Sequence, residues 1–306
     1  MPAILTSFRS LFAVAAATLV AAWAGLTLKG VAIIGAPIAG LGLTLLLVYL
    51  MRRYAKRGET TLAAALGATA FLIIFTLGGG LLSYLMMSRP APFLDAQFAA
   101  IDAAFGLDWI ATLRFVNDRP WLVLLLSAAY HVELVMVAVT VLLMLVAQRA
   151  DRVIEFCWLF ALTGLATVII SGLLPAAGAY VHYAPPIDAR DLIAPDSGVW
   201  HLKQLLALRS GEMRVINLAR MEGLVTFPSF HTALALALAV SLRGVRYVFA
   251  PMAIYAAAVV ISTVPIGGHY FIDTIGGALI LLAALPIAQR LSQPRAAGAA
   301  ARPIAV

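Results

Sequence analysis

Apolar residues run along this chain in blocks of about twenty, and the polar residues gather in the gaps between them. Blocks of that length fit the hydrocarbon thickness of a bilayer as helices, and are about twice what a barrel strand needs. The pattern predicts eight membrane spans. They run from about Leu11 to Leu28, Val31 to Met51, Thr60 to Met87, Trp121 to Ala147, Val153 to Leu174, Ser229 to Leu242, Tyr247 to Pro265 and Tyr270 to Gln289. The expected fold class is all-α, a polytopic membrane helix bundle. Between the third and fourth spans Leu94, Phe98, Ile101, Phe105 and Trp109 recur at helical spacing, with Asp95 and Asp102 on another face. This predicts an amphipathic helix lying in the outer interface, or a helix packed over the bundle. A long charged segment from about Ala184 to Thr226 leads into the sixth span, and an Ala- and Pro-rich tail after Ser292 reads as disordered. The whole chain reads as one integral-membrane domain, with N-terminal helices over 1–90, a catalytic core over 91–291 and the tail over 292–306.

Composition agrees with the pattern. Hydrophobic residues make up 63% of the 306 residues and charged ones 11%, against about 45–50% and 25% in soluble domains. The formal charge of +7 does not point to nucleic acid, because most basic residues sit at helix ends. Clusters at Arg52, Arg53, Lys56 and Arg57, at Arg149 and Arg152, at Arg243 and Arg246, and at Arg290, Arg295 and Arg302 all follow even-numbered spans. They therefore share one face, which the positive-inside rule makes cytoplasmic, together with both termini. Arg9 and the apolar run from Leu11 to Ala22 also have the form of a signal peptide, whose removal would leave the other spans oriented as before. The single cysteine, Cys157, excludes an intramolecular disulfide and a cysteine metal site, and reads as an inert helix residue.

Two motifs carry the candidate chemistry: Phe227-Pro228-Ser229-Phe230-His231, and Gly267-Gly268-His269-Tyr270-Phe271-Ile272-Asp273. Each places a histidine at the start of an apolar helix, and both fall at the outer face in the topology above. Asp273 lies four residues beyond His269, within reach of its Nδ1–H, which leaves Nε2 free to attack. Pro228 suits the first turn of the sixth span. The two helix N-termini are expected to converge as an anion site, with Ser229 adding a hydroxyl and Gly268 allowing close backbone approach. Arg209, Lys203 and Arg214 in the long segment are candidates for the positive charge that phosphoryl transfer needs, with Arg119 a second choice. His131 and Glu133, two apart inside the fourth span, do not share a helix face and read as a polar packing contact. His182 and His201 read as solvated, and no ligand spacing supports a zinc site among the histidines. The chemistry requires neither metal nor cofactor.

At these residues the chain resembles the type 2 phosphatidic acid phosphatase superfamily. Pro228-Ser229-Phe230-His231 matches the family's second motif; Ser262, His269 and Asp273 match the third with its spacing. Thr263 stands where the family has arginine, Phe230 replaces a glycine, and the family's first motif is absent. These departures resemble the branch containing inositol phosphorylceramide synthase and the sphingomyelin synthases. The resemblance implies that His269 is the nucleophile, Asp273 its orienting carboxylate, His231 the acid for the leaving oxygen and Ser229 a phosphate contact. It implies a membrane lipid phosphatase or phosphotransferase acting on a lipid phosphate or phospholipid at the outer face. The competing class is a transporter with polar midplane residues, for which His131 and Glu133 are the best evidence and a paired-half repeat the missing one.

Overall fold

The computed structural model describes residues 3–35, 37–185 and 198–293. Arg190, Asp188, Asp191, Asp196 and the tail expected to be disordered lie outside them. Every segment expected to span is helical: α1 (Ala3–Leu28), α2 (Pro37–Lys56), α3 (Thr60–Met87), the fourth as a pair, α8 (Ala150–Leu173), α11 (Phe230–Ser241), α12 (Phe249–Thr263) and α13 (Phe271–Ser292). Among the described residues only α1, α3, α8 and α13 are both long and apolar enough to cross a membrane by themselves. α2 is long enough but ends in Arg52, Arg53 and Lys56, and α11 and α12 have 12 and 15 residues.

The expected fourth span is broken. α6 (Pro120–His131) and α7 (Glu133–Val146) meet at Val132 with a bend of 59°. If they count together, the described residues hold five spanning candidates rather than eight. The segment after the third span is broken too. α4 (Asp95–Ala104) stops before Gly106, which has φ +72°, and α5 (Trp109–Asn117) restarts on Asp108, whose carboxylate accepts from the Ala111 amide at 2.9 Å. The expected single amphipathic helix is thus two short helices, since a left-handed residue inside a helix ends it.

The core is built around α8 and α11. α8 buries a continuous run from Val153 to Ala161. α11 buries Thr232, Ala233, Leu234, Ala235, Ala237, Leu238 and Ala239, covering most of its circumference, as a helix apolar all round must. Its alternating alanines let neighbours come close. α13 comes close: a Cβ on Gly277 would stand 2.3 Å from the Ser229 carbonyl oxygen. Two short helices, α9 (Ala179–Tyr183) and α10 (Leu202–Ser210), complete the set. α10 packs Leu205 and Leu208 against α1 and α3. The sequence pattern gave no sign of the parallel strand pair β1 (Ala32–Ile34) and β2 (Val215–Asn217), three residues each. It fastens the long segment to the α1–α2 turn.

Candidate active site

The site forms where the start of α11 meets the turn between α12 and α13. Ser229 is the N-cap of α11, and its hydroxyl accepts from the Thr232 amide at 3.3 Å. Pro228 therefore precedes the cap, not in the first helical turn as expected. The Ser229 amide donates to the Asp273 carbonyl at 2.9 Å, which ties α11 to α13 directly beside both histidines.

His269 and Asp273 form the expected pair, with Nδ1 3.0 Å from Oδ2. The geometry has a different origin from the i,i+4 helical spacing. His269 lies outside α13, Tyr270 is the N-cap, and Asp273 reaches back from the third helical position to accept from the Tyr270 amide at 3.0 Å. Two donors thus converge on one carboxylate oxygen. The amide of His269 donates to the Thr263 carbonyl (3.2 Å), and its carbonyl accepts from the Trp109 indole (3.1 Å). Burial pulls this imidazole down to about 4, with a hydrogen bond to the Thr226 backbone acting the other way.

His231 faces His269 with ring centroids 6.4 Å apart. Tyr130 stacks on His231 at 4.2 Å, with its hydroxyl 3.3 Å from Nδ1. Glu133 lies 3.9 Å from Nε2. Tyr130 and Glu133, three residues apart on either side of the break at Val132, thus meet one imidazole. Glu133 is therefore not the bland packing contact its spacing implied. Its position inside an apolar span was the available signal.

α4 also corrects the sequence reading. Its aspartates face inward: Asp95 is 9% and Asp102 1% exposed, while Phe105, on the expected apolar face, is 74% exposed. Asp102 accepts from the amides of Phe271 (2.8 Å) and Ile272 (2.9 Å). Burial raises its carboxyl and those two hydrogen bonds lower it. Asp95 accepts from the amides of Ala177 and Gly178 and from the Tyr270 hydroxyl. The N-terminus of α13 is consequently closed by protein and does not present the free amides expected for an anion. On α11, the amides of Phe230 and His231 have no acceptor within the helix.

The remaining candidates are placed elsewhere. Gly268 has φ +71°, and the space beside it holds Tyr180 and Gly198 rather than an open approach. Arg209 donates to the Ala91 carbonyl and lies 4.1 Å from the Phe93 ring centroid. Lys203 is exposed, and Arg214 is exposed beside Gly30 at the strand pair. Arg119 donates to the Phe115 carbonyl at 2.7 Å. Among the described residues none of these four cations touches either site histidine. The Thr263 hydroxyl, at the family's arginine position, donates to the Val260 carbonyl at 2.7 Å. His182 is exposed at its backbone turn and packs edge-on against Tyr183 and Tyr270. His201 is buried, not solvated: its Nε2 meets the Ala177 carbonyl at 3.1 Å, and its Cε1 lies 4.0 Å from where a Gly178 Cβ would sit. Burial lowers its basicity, and the nearby His269 lowers it further.

No curated protein and no solved structure matches the chain. The PAP2 superfamily model does, over residues 96–287, a stretch that runs from α4 to α13 and contains both histidine motifs. With nearly two thirds of its length matched, including His231, His269 and Asp273, the chain belongs to the PAP2 superfamily.

Proposed function

We propose that this protein is a membrane lipid phosphatase or phosphotransferase that works through a phosphohistidine on His269. Membership of the PAP2 superfamily suggests phosphatase-type activity on phosphorylated substrates, and the apolar helices suggest a lipid-type phosphate. The observation that carries the finer reading is the facing pair of histidines, 6.4 Å apart, one of them bonded to Asp273.

In this reading Asp273 accepts from His269 Nδ1–H, so Nε2 holds the lone pair that attacks phosphorus. The bond from phosphorus to the leaving oxygen breaks, and His231 protonates that oxygen. Water, or the hydroxyl of an acceptor lipid or polyol as in the sphingolipid synthase branch, then attacks phosphorus and releases His269. The first-turn amides of α11 and the Ser229 hydroxyl face the developing charge. The catalytic machinery belongs to the 91–291 core. In this reading both termini are cytoplasmic and the site is at the outer face of the plasma membrane, a sidedness supported by the basic clusters that follow the even-numbered apolar segments.

The test is incubation of purified protein with phosphatidic acid, prenyl pyrophosphate and phospholipids, with and without ceramide or inositol, reading free phosphate and new lipids together. An acid-labile phosphoenzyme that disappears in His269→Ala is expected. Full turnover by His269→Ala would end the mechanism.

A further inference from the structure

We infer that Glu133 is a positioning residue that stores the proton His231 gives to the leaving oxygen. The inference rests on the phosphohistidine reading and assigns a role to a group that reading leaves unused.

The two carboxylates of the site are treated differently by their surroundings. One oxygen of Asp273 receives the His269 imidazole and the Tyr270 amide. Glu133 is 1% exposed, and among the described residues neither of its oxygens receives a hydrogen bond. The nearby Tyr255 hydroxyl is directed to the Ala129 carbonyl instead, at 2.9 Å. An ionised carboxylate without donors is far more costly to bury than its neutral acid. The group that faces Glu133 is His231 Nε2, 3.9 Å away. That gap is about 1 Å longer than a hydrogen bond, a looseness common in sites without substrate.

The ring of His231 therefore has one nitrogen toward a proton store and the other, Nδ1, toward Tyr130. In the first half-reaction the P–O bond breaks and the leaving oxygen takes the proton from Nδ1, while Glu133 passes its own proton to Nε2. Glu133 is left ionised beside a neutral His231 of the other tautomer. In the second half-reaction water or an alcohol attacks phosphorus and the P–N bond breaks. The proton of the attacking hydroxyl returns through Nδ1 to regenerate the first tautomer and the Glu133 acid. No proton is lost between turnovers, and no free imidazolium forms.

The test compares leaving groups. Phosphatidic acid expels an alkoxide that needs a proton; p-nitrophenyl phosphate expels a phenolate that does not. Glu133→Gln is expected to lower kcat on phosphatidic acid by about 10²–10⁴-fold, the range for general acid catalysis, and to lower it much less on p-nitrophenyl phosphate. His231→Asn should show the same selectivity, and the double variant no further loss. Equal losses of Glu133→Gln on both substrates would assign Glu133 a purely structural role, and unchanged rates would remove it from the reaction. Either result overturns the inference. Phosphoenzyme trapping on wild type and His269→Ala is run in parallel. If no phosphohistidine forms, the nucleophile assignment fails, while the leaving-group comparison still decides whether Glu133 supplies the proton.

Discussion

Gly277→Ala tests the contact that sets the distance between the two histidines. Gly277 lies one turn beyond Asp273 on α13, and a Cβ there would stand 2.3 Å from the Ser229 carbonyl oxygen and 3.0 Å from Thr232 Cβ. An ordinary contact needs roughly 3.4 Å or more, so the backbone at the start of α11 must retreat by about 1 Å. The first of those atoms is backbone and has no rotamer to move. The retreat would stretch the bond from the Ser229 amide to the Asp273 carbonyl and carry His231 away from His269. Overpacking of this kind costs about 1–3 kcal/mol, and a misplacement near 1 Å about 10²-fold in rate. The assay is phosphate release from phosphatidic acid beside thermal unfolding in detergent. Gly42→Ala on α2 is the control, because a Cβ there meets nothing within 4 Å; it should leave activity unchanged and stability equal or slightly raised. Wild-type activity and melting temperature in Gly277→Ala would refute the claim that the approach of α13 to α11 sets the site.

Other outcomes are expected from the same geometry. Asp273→Asn should lower turnover by about 10²–10⁴-fold with insertion intact, and wild-type kcat would exclude Asp273 as the orienting group. Asp102→Ala leaves the amides of Phe271 and Ile272 without their buried acceptor and should destabilise by about 1–3 kcal/mol; an unchanged melting curve would show the cap to be dispensable. Burial holds His269 at about 4, so the nucleophile stays neutral, and loses its lone pair to a proton only as pH falls through that value. Single-turnover phosphoenzyme formation from p-nitrophenyl phosphate should accordingly hold level from pH 7 to about 5; a decline centred near 6.5, the ordinary imidazole value, would contradict the buried site. In a Cys157→Ala background, a cysteine at Ser210 should react with an impermeant thiol reagent in intact cells and one at Lys56 should not. The reverse pattern would move the site to the cytoplasmic face.

The sequence by itself determined the helical class and the position of the main helices other than the broken fourth, and it nominated His231, His269 and Asp273, which the structure brings together. These rest on local signals: apolar run length, and residue types at short fixed spacing. The structure decided what depends on contacts between distant segments. Spacing along a continuous helix separates His131 from Glu133 and puts Tyr130 on the side of Glu133, but only the tertiary structure brings that side to His231, about a hundred residues later in the chain. Amphipathic periodicity put Asp95 and Asp102 on a face away from the core, because a side chain's polarity does not reveal a buried partner. The unpaired amides at the start of α13 and in the 176–178 turn are that partner, and they draw both aspartates inward. The loop cations failed for the opposite reason. Charge and proximity in sequence nominated Arg209, Lys203 and Arg214, but α10 and the strand pair fasten their segment to α1 and α3. A long connection has enough reach to dock in many places, and its apolar residues, Leu205, Leu208 and Ile216, chose the place.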